Sequence, residues 1–449
     1  MTLEFHPDAA VSFNARGNSL LSRIRRSAAE PQRPKEFRPD LYASGHITED
    51  DIVGEITRTT VDAAGSELAR HFIEGSVEVG LEGEDYQQFA KLTESLQRTP
   101  AFERSVSQKR LKEVTFDWFR DSRRLATRST LTEYIAAVCN ADIRDYEVAI
   151  PIAMLSVEAP LPVGRVVIRP LTKELLDAWF HPRLERIQTD DERRQLEAHL
   201  TRKRKELQGY SAAFVRVRAE CTRAEEVALE EAEAAVGLLR YFAGASLSAR
   251  LACFCVPLGK ENVHRFQAIS FRDGSLEKWT EKLAQTNWSC WTLPAAEINH
   301  IRTTRLDALS EIYRDPRTDL HQRIIDAVLL FSRVSIAHEL SGKLVLLLAS
   351  LESLFLRNQD EPIQQNLADR LALITGSDLA ERKEIVLTTK RAYGLRSRFI
   401  HHAQAIDDLS VMDKFMVYAW RGIYNIIANR NQFATLEALL EKIDERKLA

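Results

Sequence analysis

From about residue 300 to its end the chain carries no strand signal, and its apolar residues recur at helical spacing. Leu320, Ile324, Ala327, Val328 and Phe331 fall on one stripe, and the pattern runs past Gly342 to Phe355, predicting two helices or one long kinked one. Glu361-Pro362 opens the next helix, in which Ile363, Leu367, Leu371 and Ile374 form a second stripe that stops at Gly376. Ser377 or Asp378 is placed to cap a helix leading into Arg396 and His401. Phe415, Ala419, Ile423, Ile426 and Ile427 pattern another helix, and Phe433 to Ile443 a last one. Stripes of this kind in succession can bury their apolar faces only against one another, which predicts an all-helical bundle over residues 301–449.

The preceding residues read differently. At 449 residues the chain is too long for one ordinary core. Tyr146–Ile152 and Arg165–Arg169 read as strands, with Pro160, Pro162 and Gly164 marking a turn through which they are expected to pair. Ala213–Ala219 alternates as a strand and runs into Thr222-Arg223-Ala224-Glu225, a capping-box pattern opening an Ala/Glu-rich helix to about Phe242. Strands return at 250–257 and 263–270, and residues 190–208 form a highly charged, exposed helix. The fold class expected is α+β and mainly helical. A mixed α/β domain over residues 46–300, suited to sensing or substrate selection, precedes the helical bundle. Residues 1–45 contain Arg16, Arg23, Arg25, Arg26, Arg33, Lys35 and Arg38 with Pro31, Pro34 and Pro39, and read as an extended or mobile basic arm.

With 62 basic and 65 acidic residues the net charge is −3, so any nucleic acid must be held by a local basic patch. The five cysteines, Cys139, Cys221, Cys253, Cys255 and Cys290, show no zinc-ligand spacing. A reducing cytosol is expected, with Cys253 and Cys255 as buried thiols on one face of a strand and with no metal and no cofactor. No secretory signal is expected at the N-terminus. The most apolar run, Leu344–Ala349, falls well short of a bilayer span, so no membrane partner is expected. Trp118, Phe116 and Phe119 beside Arg120, Arg123 and Arg124 read as helix packing flanked by solvated charge rather than as an RNA surface. His338-Glu339 lacks the second histidine of a zinc-protease helix, and no phosphate-binding loop is present.

The one segment whose residue types carry chemistry is Tyr393-Gly394-Leu395-Arg396-Ser397-Arg398-Phe399-Ile400-His401-His402. RNA carries its own nucleophile, the ribose 2′-hydroxyl. Its cleavage needs a group that moves protons near neutrality, which histidine is, and a cation to grip the phosphorane, which the guanidinium fork does well. Four intervening residues set Arg396 and His401 roughly 140° apart on a helix, so a cleft must gather them. Ser397 shares the face of His401 and is placed to orient the imidazole or touch phosphate. Lys390, Arg391 and Arg398 add positive potential for an RNA backbone.

This segment, with Leu348-Ala349-Ser350-Leu351-Glu352-Ser353-Leu354-Phe355 and Leu367-Ala368-Asp369-Arg370-Leu371-Ala372-Leu373-Ile374, resembles the HEPN superfamily, in particular its Apea-like branch. The resemblance covers roughly the last third. It implies a metal-independent endoribonuclease that works as a homodimer through the C-terminal helices. Such proteins often act in the cytoplasm in antiviral defence, abortive infection or toxin-like growth arrest, cutting tRNA or other translation-related RNA. Carried over, Arg396 stabilises the transition state, Ser397 positions, and His401 transfers protons. Glu352 is matched to a glutamate that holds Arg396, and His402 supports. Where many relatives have Gly after the histidine, this chain has His402 and Ala403, leaving open which histidine transfers the proton. The large N-terminal domain is then the place for a trigger or regulator to act. Two alternatives stand beside this reading: a non-catalytic HEPN scaffold binding RNA or nucleotide as a dimer, and a DNA-binding or regulatory protein working through the basic arm.

Overall fold

The computed structural model describes residues 3–28, 57–74, 77–187, 189–207, 209–260, 265–272, 275–283, 290–358 and 360–448. The fold is α+β and mainly helical, with sheets confined to the N-terminal part and helices alone from Ala295 onward among the described residues. The chain forms two compact units, one of residues 1–146 and 217–227, the other of 147–216 and 228–449. The division expected near residue 300 is therefore replaced. Residues of the expected α/β domain are shared between both units, because the chain crosses from one to the other within single strands and one helix.

In the first unit α1 (Pro7–Leu21) is followed by β1 (Arg25–Ala28), β2 (Thr57–Val61), β3 (Glu67–Glu74) and β4 (Val77–Glu82), which form a sheet in the order β1-β4-β3-β2. Then come α2 (Gly83–Gln97), α3 (Pro100–Glu103), α4 (Gln108–Arg123) and α5 (Leu131–Asp142). The expected basic arm does not hold over residues 3–28. Pro7 sits in the first helical turn, where its missing N–H is harmless, Asp8 favours the positive end of the helix, and Phe13, Gly17 and Leu20 are buried. A Cβ on Gly17 would lie 2.6 Å from Leu131 Cδ2, so glycine is what lets α1 approach α5. Arg33, Lys35 and Arg38 lie outside the described residues. Phe116, Trp118 and Phe119 of α4 are core residues.

The second unit contains most of a sheet ordered β10-β5-β9-β8-β7. Its strands are β5 (Arg144–Ala153), β7 (Leu161–Val163), β8 (Val166–Pro170), β9 (Ser211–Ala219) and β10 (Val256–Pro257), with the short β6 (Leu155–Val157) outside it. The expected pairing of 146–152 with 165–169 does not occur. β9 lies between them, and the turn at Gly164 instead joins β7 to β8. α6 (Lys173–Arg186) and the charged α7 (Asp190–Leu207) intervene before β9. α8 (Cys221–Arg240) is capped by the Glu220 carboxylate, which accepts from Thr222 and Arg223 N–H at 2.9 and 3.1 Å, rather than by the expected Thr222 box. Cys253 and Cys255 precede β10 and are not in a strand, though Cys255 is buried. β11 (Arg265–Arg272) and β12 (Ser275–Leu283) form a hairpin, and β13 (Trp291–Leu293) pairs parallel with β6. Residues 263 and 264 of the expected strand lie outside the described residues.

The helices that follow are α9 (Ala295–Ile301), α10 (Asp307–Arg314), α11 (Asp319–Ser332), α12 (Leu340–Phe355), α13 (Ile363–Thr375), α14 (Leu379–His402), α15 (Leu409–Ala428) and α16 (Leu436–Leu448). The stripe from Leu320 to Phe331 is buried on α11, and a short 3-10 turn at Arg333–Ser335 separates it from α12, so the run to Phe355 is two helices. α12 to α15 pack against one another, with α16 on α13 and α11.

Candidate functional site

Helix α14 begins where Asp378 accepts from Glu381 N–H at 2.9 Å while the Glu381 carboxylate reaches back to Ser377 N–H and hydroxyl at 2.7 and 2.9 Å. Arg421 on α15 grips the same Glu381 at 2.6 Å, and this bond leads the interactions that pull the carboxyl pKa down to about 2. Ile385, Thr388, Thr389, Ala392, Tyr393 and Leu395 form the buried stripe that seats the helix in the bundle.

Continued at 100° per residue, that stripe passes through Arg396. Arg396 is accordingly half-buried, whereas Ser397, Arg398, His401 and His402 are exposed, as are Lys390 and Arg391 one to three turns earlier. One helix thus carries every basic residue named for the RNA site, but on two sides: Arg396 toward the bundle, Ser397 and His401 toward solvent. Their separation of about 140° follows from the spacing alone. His401 and His402 occupy the last turn, where the helix dipole favours a cation.

Glu352 lies on α12, whose Leu344, Leu347, Leu348, Leu351 and Leu354 are fully buried, and is itself half-buried at the edge of that surface. The expectation that it holds Arg396 is corrected by the geometry. Glu352 Oε1 accepts the Tyr393 hydroxyl at 2.9 Å, and among the described residues no ion pair joins it to Arg396. The Tyr393 phenol is raised far above its ordinary range, first by burial, then by the Glu352 charge and hydrogen bond; the Arg396 charge opposes them. Arg396 therefore lies within electrostatic reach of the Tyr393–Glu352 pair. Tyr393 was given no role by the sequence, although a tyrosine on a buried stripe three residues before Arg396 is a signal in itself, since its hydroxyl must find a partner inside.

The arrangement offers a half-buried arginine at the bundle surface and an exposed imidazole with a hydroxyl four residues before it, on a helix end rich in cations. That set can grip a phosphate and exchange a proton. No group of three or more His, Cys, Asp or Glu able to hold a metal ion occurs among the described residues. No helix of the described residues is long and apolar enough to cross a membrane. The chain matches no family model, no curated protein and no solved structure.

Proposed function

We propose that this chain is a metal-independent endoribonuclease of HEPN type that acts as a cytoplasmic homodimer on tRNA or another translation-related RNA, in defence or toxin-like arrest. The observation that carries the reading is the crowding of Arg396, Ser397, His401 and His402 onto the last two turns of α14, with Arg396 beside the Tyr393–Glu352 pair. His401 takes the proton of the ribose 2′-hydroxyl, the 2′-oxygen attacks phosphorus, and the 5′-oxygen leaves with a proton from a second imidazole. Arg396 binds the non-bridging oxygens as their charge builds. The products are a 2′,3′-cyclic phosphate and a 5′-hydroxyl. Because one helix points Arg396 and His401 to different sides, a second copy is the natural source of the imidazole that completes the site. Lys390, Arg391 and Arg398 hold the RNA backbone.

The test is expression of the wild-type chain, Arg396→Ala and His401→Ala at matched levels, with total RNA mapped for new 5′-hydroxyl ends. Discrete cuts by the wild type, reduced at least about 100-fold in both variants while the dimer persists, are expected. Identical RNA profiles for all three, including under phage challenge, refute the nuclease. RNA bound but uncut would favour the second reading, a non-catalytic HEPN scaffold, for which the commitment of Glu352 to Tyr393 instead of Arg396 speaks.

A further inference from the structure

A cavity of about 480 Å³ in the second unit is lined by α8, by β10 and Lys260, and by α11 with the turn after it. Its volume is that of a site for a small organic ligand. The α8 wall is ordered by charge, and Lys260 adds a cation beside its acidic end. Along α8 the wall runs from Glu230 and Glu233 through Ala234 and Gly237 to Arg240, and the ten helical steps from Glu230 to Arg240 span about 15 Å of helix axis. Glu233 is paired to Lys260 at 2.8 Å at the acidic end. At the other end Arg240, only 6% exposed, is fixed by donating to the Cys255 carbonyl oxygen at 2.5 Å, and the exposed Arg333 stands on the facing wall. Between the two ends lie Val256, Pro257, Leu329 and Ile336. Gly237 brings the walls together: a Cβ there would lie 2.9 Å from Leu329 Cδ2 and 3.2 Å from Ser332 Oγ.

Each part selects a chemistry. Two guanidiniums at one end suit a phosphate, which they can grip through paired N–H donors. An apolar middle suits a flat ring or hydrocarbon, and carboxylates at the far end accept only from O–H and N–H donors. Inorganic phosphate would leave the middle empty, and a fatty acid would set an apolar tail against carboxylates. A molecule with a phosphate at one end, a ring in the middle and a donor-rich edge about 10–15 Å away satisfies all three.

We propose that this cavity binds a mononucleotide, its phosphate toward Arg240 and Arg333 and its donor-bearing base or ribose edge toward Glu230 and Glu233. The inference is independent of the nuclease reading and concerns residues that reading does not use. The test is isothermal titration of the full-length chain with adenosine and guanosine monophosphates, and with inorganic phosphate alone, against Arg333→Ala and Glu230→Gln. Both substitutions change side chains at the cavity mouth, and thermal melts confirm that the variants are folded. At least one monophosphate is expected to bind the wild type more tightly than phosphate does, with affinity falling at least about tenfold in each variant. Failure of the wild type to bind either monophosphate at millimolar concentration overturns the proposal. So does equal binding of phosphate alone, or affinity unchanged in both variants. Because the readout is binding, an inert His401→Ala leaves it untouched.

Discussion

Immediately after the two histidines of α14, Ala403 adopts φ 51° and ψ 27°, the left-handed conformation in which a Cβ crowds the carbonyl oxygen. The turn is worth holding because its N–H groups close the helix: Ala403 donates to Phe399 O at 3.0 Å and Gln404 to Arg398 O at 3.4 Å. Glycine adopts this backbone without the Cβ penalty, although it also gains freedom in the unfolded chain. Ala403→Gly is expected to raise unfolding free energy by about 0.5–1 kcal/mol, read as a higher urea midpoint at unchanged m-value. A lower midpoint would mean the turn is not strained. This helix end was only partly legible in the sequence, since the usual mark of such a turn, a glycine, is missing. The same limit hid the Tyr393–Glu352 bond: the motif fixes which residues share a helix, but which of Tyr393 and Arg396 meets Glu352 depends on how α12 and α14 cross.

Among the elements, α13 shows what apolar stripes leave out. Its Leu367 and Leu371 are buried as their spacing implies, but between them Arg370 is also buried, 3% exposed. It donates to Asp444 on α16 at 2.9 and 2.8 Å, to Glu361 before its own helix at 2.7 and 3.1 Å, and to the Phe355 carbonyl oxygen at the end of α12 at 2.7 Å. One guanidinium thus fastens three helix ends. Periodicity located α11, α12, α13 and α15 because each buries one continuous face; it could not locate a charged clasp, whose partners are 9 and 74 residues away. Likewise β5 and β8 were legible as strands and their pairing was not, because β9, far along the chain, inserts between them. Arg370→Met is expected to destabilise the protein by about 3–5 kcal/mol at pH 7, since it leaves Glu361 and Asp444 facing an apolar side chain. The Arg370 hydrogen bond is the main reason the Glu361 pKa falls to about 2 from 4.5. A carboxyl depressed in the folded state binds fewer protons there than unfolded, so its stabilisation is complete above pH 4.5 and is lost as pH falls toward 2. The difference in stability between wild type and Arg370→Met is therefore expected to shrink over that window, measured by denaturant titration at stepped pH. A difference constant from pH 6 to 3 would show that the clasp is not electrostatic.

For the whole molecule, the division into two units decides what the N-terminal residues do. A chain that left one unit at a single linker could carry its first 45 residues as a loose basic leader, and their arginines and prolines read that way. Instead, the described part of that segment supplies Leu3, Phe13 and Leu20 to the core that holds Phe89, Phe119, Leu131 and Ile135. Leu3 is tied at both its N–H and its carbonyl oxygen to Asn140, at 2.8 and 3.2 Å. The apolar positions of α1 are few and spaced among polar residues, so composition outweighed periodicity in the sequence, while the tertiary contacts do the opposite. The two accounts differ sharply under truncation. Removal of residues 1–24 is expected to strip this core of α1 and expose Leu131 and Trp118, giving an aggregating chain or one whose first unit is cleaved rapidly in limited proteolysis. Phe13→Ala makes the milder version of the same test, with an expected loss of about 3–4 kcal/mol from that unit's unfolding transition in calorimetry. A truncated chain that stays soluble and melts as the full one does would return these residues to the status of an arm, and with it the possibility that their arginines meet nucleic acid.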